Sequence, residues 1–127
     1  MILGIGIDLV DVDRIERILR DWGQKFTSRI FTENEINFCN QRVAAAECYA
    51  ARFAAKEALA KALGHGWCEH FRWTDVEVTN DRSGKPSFVI HGKTRRLLNN
   101  KRVVLSLSHT KSQAVAMVLI EGVSNEL

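Results

Sequence analysis

The stretch from Ala50 to Gly66, A-A-R-F-A-A-K-E-A-L-A-K-A-L-G-H-G, constrains the fold more than any other part of the chain. Ala and Leu dominate it, Lys, Glu and Arg supply most of the rest, and Pro is absent, so it predicts a long helix. Gly64 is a natural stop, because glycine adopts the left-handed conformation that closes a helix without a steric penalty. The placement of charge is unusual. At 3.6 residues per turn, Glu57 and Lys61 share a face with Ala50, Phe53 and Gly64, while Arg52 and Lys56 share another with Leu59 and Leu63. No clean polar face results. A helix of this kind packs on several sides, which puts some of its four charges in a cleft or against another chain. The alternative, which the helix by itself favours, is an exposed Glu57–Lys61 pair contributing roughly 0.2–0.5 kcal/mol.

The rest of the chain must cover such a helix, and its length allows that within one domain. At 127 residues there is material for one core, and 46% apolar with 26% charged residues is ordinary globular composition. A formal charge of +3 suits a phosphate-rich ligand or an acidic partner without requiring nucleic acid. Cys39, Cys48 and Cys68 form no C-x-x-C pair, are odd in number and lack a metal-like cluster with histidine, so a reducing cytoplasm fits best. The apolar run Ile2 to Ile7 is short, lacks a basic leader and is broken by Asp8, so neither a signal peptide nor a membrane span is expected.

Met1 to Val10 alternates Ile5, Ile7 and Leu9 against Gly4, Gly6 and Asp8. This predicts a strand whose second face is nearly bare: either something approaches it closely, or the glycines mark a bulge that Asp8 ends. Asp11 or Asp13 can cap a helix, V-D-R-I-E-R-I-L-R-D-W, with Ile15, Ile18, Leu19 and Trp22 as its buried stripe. Arg14, Arg17 and Arg20 line its other side, a dock for an acidic helix or simply a solvated face. After Gly23, Lys25 to Ile30 reads as a short turn of helix, and Thr32 with Glu35 makes a capping box for another. Beyond Gly64 the chain to Phe71 reads as loop with some helical turn. The period then changes to two: W-T-D-V-E-V-T-N and P-S-F-V-I-H form a hairpin across Asp81 to Lys85. A short basic helix at Gly92 to Asn100 leads into a second hairpin, V-V-L-S-L-S-H and Q-A-V-A-M-V-L-I-E, around Thr110-Lys111-Ser112. The expected fold is α+β, a mostly antiparallel sheet packed against the long Ala-rich helix and shorter helices.

No nucleophile elbow, H-E-x-x-H or Walker loop is present, so covalent catalysis is unsupported. His65, His70, His91 and His109 do not repeat at metal-ligand spacing. Only His109 stands where hydroxyls and an imidazole could meet a phosphate, in S-L-S-H-T, although a turn-capping cluster reads the same way.

Together, G-I-G-I-D-L-V-D-V-D-R-I-E, R-F-A-A-K-E-A-L-A-K-A-L-G, G-K-P and S-L-S-H-T, in this order and spacing, closely resemble the holo-acyl-carrier-protein synthases, a family of 4′-phosphopantetheinyl transferases. The resemblance spans essentially the whole chain, and the first two motifs are its specific part. The chain departs from the family in H-G-W-C-E-H-F, where Trp67 and Cys68 occupy a loop that tends to be smaller. The resemblance implies transfer of phosphopantetheine from coenzyme A to a serine of apo acyl carrier protein, in support of fatty acid biosynthesis, with adenosine 3′,5′-bisphosphate released. It further implies Mg2+ on Asp8 and Glu57, with Lys61 beside the same phosphates. Arg52, Gly64, the Gly84-Lys85-Pro86 turn, His109 and Thr110 are implied to hold the coenzyme. Arg14, Arg17 and Arg20 are implied to receive the carrier, and the active sites to lie between subunits of a homotrimer. The residue chemistry agrees, since magnesium takes one or two carboxylates and fills its other positions with water and substrate phosphate. Glu57 or a metal-bound water would accept the serine proton. A non-catalytic coenzyme-binding module is the competing class, and two carboxylates facing an anionic ligand count against it, since without a cation they would repel that ligand. A nucleic-acid scaffold would interleave aromatics with a basic face, whereas the three tryptophans fall on apolar stripes.

Overall fold

The computed structural model describes residues 1–64 and 71–122. The loop expected after Gly64, with His65, Trp67, Cys68 and His70, lies outside the described residues. Eleven elements follow in order: β1 (Ile2–Asp11), α1 (Val12–Trp22), α2 (Gln24–Ile30), α3 (Glu33–Asn40), α4 (Ala45–Leu63), a 3-10 turn (Trp73–Asp75), β2 (Val76–Asn80), β3 (Pro86–Ile90), α5 (Gly92–Leu97), β4 (Lys101–His109) and β5 (Gln113–Gly122). Strands β1, β5 and β4 form one antiparallel sheet in that order, and β2 and β3 form a separate hairpin. The α+β architecture read from the sequence is the one observed. Strand β2 begins three residues later than the alternation suggests, because Trp73–Asp75 closes into the 3-10 turn.

Helix α4 lies across one face of the larger sheet, and the bareness of β1 is the reason it can. A Cβ on Gly4 would collide with the Ala62 carbonyl oxygen, and one on Gly6 with the Ala58 carbonyl oxygen. The close neighbour expected at this face is therefore the backbone of α4 itself. Ala114, Ala116, Val118 and Ile120 of β5 complete the floor, all buried. Small residues on both sides bring helix and strand together, which fixes how far side chains on their rims must reach.

The opposite face of the same sheet is apolar and uncovered in the single chain. Ile5, Ile7 and Leu9 are 62%, 59% and 60% exposed, and the register sets Ile7 beside Met117 and Leu9 beside Val115.

A buried ion pair holds the helices to the β2–β3 hairpin. Thr32 caps α3 through the expected capping box, but Glu35 does more than cap. Its Oε1 accepts from the Thr32 amide at 2.9 Å and from Lys56 Nζ at 2.6 Å, and its Oε2 accepts from the Val78 amide at 2.8 Å. Lys56 also donates to the carbonyls of Ile30 and Trp73. Two of the five charges on α4, Arg52 and Lys56, are thus buried within this chain.

Two further details differ from the sequence reading. Trp22 leaves the expected buried stripe and is 61% exposed, because it is the last residue of α1 and Gly23, at φ 50°, turns the chain sharply there. Cys39 and Cys48 are joined by a disulfide, the hairpin of α3 and α4 bringing their Cα atoms to 5.5 Å.

Candidate active site

The first group of site residues is built where α4 crosses β1. Asp8 shares the glycine face of β1, so its side chain points towards the helix rim. Lys61, one turn beyond Glu57, sends its ammonium to Asp8 Oδ1 at 3.0 Å and to the Ile7 carbonyl at 3.0 Å. The exposed Glu57–Lys61 pair gives way to this longer-range one, because the close packing of α4 leaves Asp8 within reach. Burial, and then the Asp8 charge, push the Glu57 carboxyl above its ordinary value, with Lys61 and Arg14 pulling the other way. Two coupled carboxylates thus sit beside an ammonium and a guanidinium. Arg14 is near enough to act on Glu57, so it belongs electrostatically to this group as well as to the surface of α1.

The second group lies towards the other end of α4, in a cleft of about 700 Å³. Arg52, Gly84, Pro86 and His109 line it, as do Phe38, Arg42, Glu47 and Asn80, which sequence reasoning did not single out. Arg52 donates to Asn80 Oδ1 at 2.8 Å, and burial is the main cause lowering its guanidinium below the ordinary arginine value. The guanidinium carbons of Arg42 and Arg52 stand 4.3 and 4.4 Å from the centre of the Phe38 ring. Two like charges gathered on one aromatic ring, set against the single carboxylate of Glu47, leave the cleft net cationic. His109 Nδ1 lies 3.1 Å from Glu47 Oε1.

Other expected residues serve the backbone. Gly64 closes α4 at φ 80°. Gly84, at φ 91°, lets the turn form in which Asp81 Oδ1 accepts from the Lys85 amide at 3.0 Å. Thr110 Oγ1 accepts from the amides of Ser112 and Gln113, which is the turn-capping arrangement. Neither Lys85 nor Thr110 lines the cleft.

Within one chain the two groups stay apart. Along α4 they are offset: from Arg52 to Glu57 is five helical residues, about 7.5 Å, and from Glu47 to Glu57 ten, about 15 Å. A third feature, a groove of about 720 Å³ between α1 and α2, has an apolar floor of Ile18, Trp22, Phe26 and Ile30 and a basic rim of Lys25 and Arg29. Arg17 and Arg20 are exposed on α1 nearby. Among the described residues no three His, Cys, Asp or Glu side chains are grouped to hold a metal ion, and no helix is long and apolar enough to cross a membrane.

Paired carboxylates beside a cation towards one end of a helix, and a cationic cleft towards the other, make an arrangement suited to a polyphosphate. Residues 4–118 match the family model of the 4′-phosphopantetheinyl transferase superfamily, and the chain belongs to that family. Within it, the holo-[acyl-carrier-protein] synthase of Solibacter usitatus is 46% identical over 125 residues, covering 96% of this chain and 100% of that protein. The crystal structure of the Bacillus anthracis holo-(acyl-carrier-protein) synthase in complex with CoA (3′,5′-ADP) superposes with a TM-score of 0.83 at 42% identity, covering 96% of this chain and 98% of that one. The Neisseria meningitidis synthase gives a TM-score of 0.88 at 36% identity, covering 95% and 99%.

Proposed function

We propose that the chain transfers 4′-phosphopantetheine from coenzyme A to a serine hydroxyl of apo acyl carrier protein, releasing adenosine 3′,5′-bisphosphate. The observation that carries this is the coupled pair Asp8 and Glu57 beside Lys61, in a chain closely related to holo-[acyl-carrier-protein] synthases. The serine oxygen attacks the pantetheine-side phosphorus of the pyrophosphate, the bond to the bridging oxygen breaks, and that oxygen leaves with the nucleotide. Glu57 takes the serine proton. In the metal-free chain burial and then the Asp8 charge raise the basicity of Glu57, which favours it as that acceptor. Lys61 balances charge on the pyrophosphate, and the cationic cleft takes the nucleotide end.

The donor set fits Mg2+, which needs only one or two protein carboxylates when phosphate and water fill its remaining positions. Asp8 and Glu57 would hold it. When bound it would neutralise charge building on the leaving bisphosphate. The basic rim of the α1–α2 groove, with Arg14, Arg17 and Arg20, would receive the acidic carrier. A role in fatty acid biosynthesis follows from this reading.

The working unit is a homotrimer, with Asp8, Glu57 and Lys61 of one subunit facing Pro86 and His109 of the next. Two features support it: the two half-sites are separated along α4, and the uncovered face of Ile5, Ile7 and Leu9 is apolar enough to seek a partner. Around a three-fold axis each interface joins two different patches, so distant halves of one sequence can meet. Incubation with coenzyme A, magnesium and apo carrier tests the activity, and a carrier that gains no phosphopantetheine mass refutes it. The assembly is tested by co-refolding Glu57→Gln with His109→Ala in equal amounts. Random mixing leaves about a quarter of shared sites intact. Activity should reappear, and no recovery in demonstrably mixed trimers sinks the shared site.

A further inference from the structure

A covalent cross-link sits on the wall of the cationic cleft, and nothing in the proposed chemistry uses it. Cys39, in the last turn of α3, is fully buried, whereas its partner Cys48, near the start of α4, is half-buried and lines the cleft. Between them the connection of residues 41–44 is exposed throughout, and all four of its residues line the same cleft. One wall is therefore a short connection with no buried side chain of its own to position it, closed at its base by the disulfide.

The two guanidiniums of the cleft depend on that wall unequally. Arg52 is anchored from the hairpin side, donating to Asn80 Oδ1 and to the Val78 carbonyl, and its Nη1 also donates to Cys48 Sγ at 3.8 Å. Arg42 belongs to the connection itself, and its guanidinium rests on Phe38, the neighbour of Cys39 in sequence and the ring that Arg52 shares. Like charges gathered this closely repel, so a restraint on the segment that carries Arg42 opposes their separation. The Tyr49 hydroxyl ties α3 to α4 independently, donating to Asn40 Oδ1 at 2.8 Å, so the helix pair outlasts the cross-link. We propose that Cys39–Cys48 is a redox switch on this cleft: as a disulfide it holds the Arg42 segment beside Arg52, ready for a phosphate, and on reduction by a dithiol the segment loosens and the cleft binds its anion more weakly. The proposal rests on the reading that the cleft takes the nucleotide end of coenzyme A. In the exchange, one thiolate of the dithiol attacks Cys48 Sγ, the accessible sulfur, and the bond to Cys39 breaks. Cys39 leaves as a thiolate and takes up a proton. The second thiol of the reductant then displaces Cys48, so two electrons and two protons pass to the cysteine pair and the reductant becomes a cyclic disulfide.

The test is calorimetric titration with adenosine 3′,5′-bisphosphate, which has no thiol of its own to exchange with the pair, after equilibration in mixtures of reduced and oxidised dithiothreitol. Alkylation under denaturing conditions reads the state of the pair: of the three cysteines, all are labelled in the reduced protein and one in the oxidised. From oxidised to reduced the dissociation constant should rise about fivefold, follow the labelled fraction and return on reoxidation. The double variant Cys39→Ser, Cys48→Ser should bind like the reduced wild type in every mixture, with circular dichroism showing it folded. In an Arg42→Ala background reduction should cause no further weakening, because the switch acts through Arg42. An affinity unchanged in the fully reduced wild type, a pair that dithiothreitol leaves intact in the folded protein, loss of helical signal on reduction, or equal weakening in the Arg42→Ala background overturns the switch. If Arg42→Ala weakens binding while reduction does not, the switch falls and the nucleotide reading stands. If neither Arg42→Ala nor His109→Ala changes the affinity, the cleft is not the seat of the nucleotide, and both fail.

Discussion

Lys56→Met should be the most damaging single substitution outside the active site, and its cost can be worked from the contacts it removes. Lys56 and Glu35 are both fully buried, at 2.6 Å, and between them they bond the carbonyls of Ile30 and Trp73 and the amides of Thr32 and Val78. Methionine fills most of the volume but leaves the Glu35 carboxylate without its counter-ion and removes one donor from each of the Ile30 and Trp73 carbonyls. Removing one partner of such a pair costs about 3–5 kcal/mol. Against a total stability on the order of 5–15 kcal/mol, that is a large share. For a chain of this size it lowers Tm by roughly 10–20 °C. Urea denaturation of wild type, Lys56→Met, Glu35→Gln and the double variant closes a thermodynamic cycle. The double variant should lose less than the sum of the singles, because no bare charge remains. A loss below about 1 kcal/mol for Lys56→Met, or strict additivity, would falsify the keystone role of the pair.

Glu57→Gln should lower turnover by at least about a hundredfold while leaving the fold intact, as measured by carrier modification and circular dichroism. It should also change how stability depends on pH. The folded-state value of Glu57 is raised above 4.5, so its favourable contribution is lost as pH climbs from 4.5 through the folded value, and denaturation midpoints of the variant should lack that decline. Arg17→Glu should raise the Michaelis constant for the carrier far more than that for coenzyme A, and the wild-type rate at low carrier concentration should fall with salt; a salt-insensitive rate would make the arginines a solvated face only. Arg14→Glu should in addition move the acidic limb of the turnover profile upward, since Arg14 pulls Glu57, the proposed base, down. Reducing the Cys39–Cys48 disulfide, which closes a short loop, should cost about 2–3 kcal/mol in denaturation with and without dithiothreitol.

The fold was readable wherever a local rule and the packing agreed. Gly4 and Gly6 narrowed β1 to a close approach or a bulge, the alternation after Arg72 announced the hairpins, and Thr32 with Glu35 announced a helix start. Reading failed where a residue answered to partners far away in sequence. Glu35 looked complete as half of a capping box, yet its second oxygen serves Val78 and its charge serves Lys56, neither of which any spacing rule connects to it. Cys39 and Cys48 looked unpaired because cysteine spacing carries no information about the angle between the helices that hold them. Trp22 fitted the apolar period of α1, but a period describes the helix and not where its neighbour ends.

The two halves of the candidate site were unequally legible for the same physical reason. Asp8, Glu57 and Lys61 sit on the two most strongly patterned stretches, where glycines or alanines leave charges conspicuous against an apolar background. The cleft is assembled from the ends of α3 and α4, the β2–β3 turn and the end of β4, so its lining residues are scattered and each satisfies an ordinary local role. Glu47 is an acidic residue in a first helical turn and Asn80 ends a strand, so neither position invites a second explanation. Only the register that pairs His109 with Ala114, together with the packing of α4 against β5, brings the imidazole to Glu47. A site made by tertiary convergence leaves its signal in distances. In a chain whose two half-sites are offset along one helix, the proposed last convergence is with a neighbouring subunit, and the Glu57→Gln and His109→Ala mixing experiment tests that step directly.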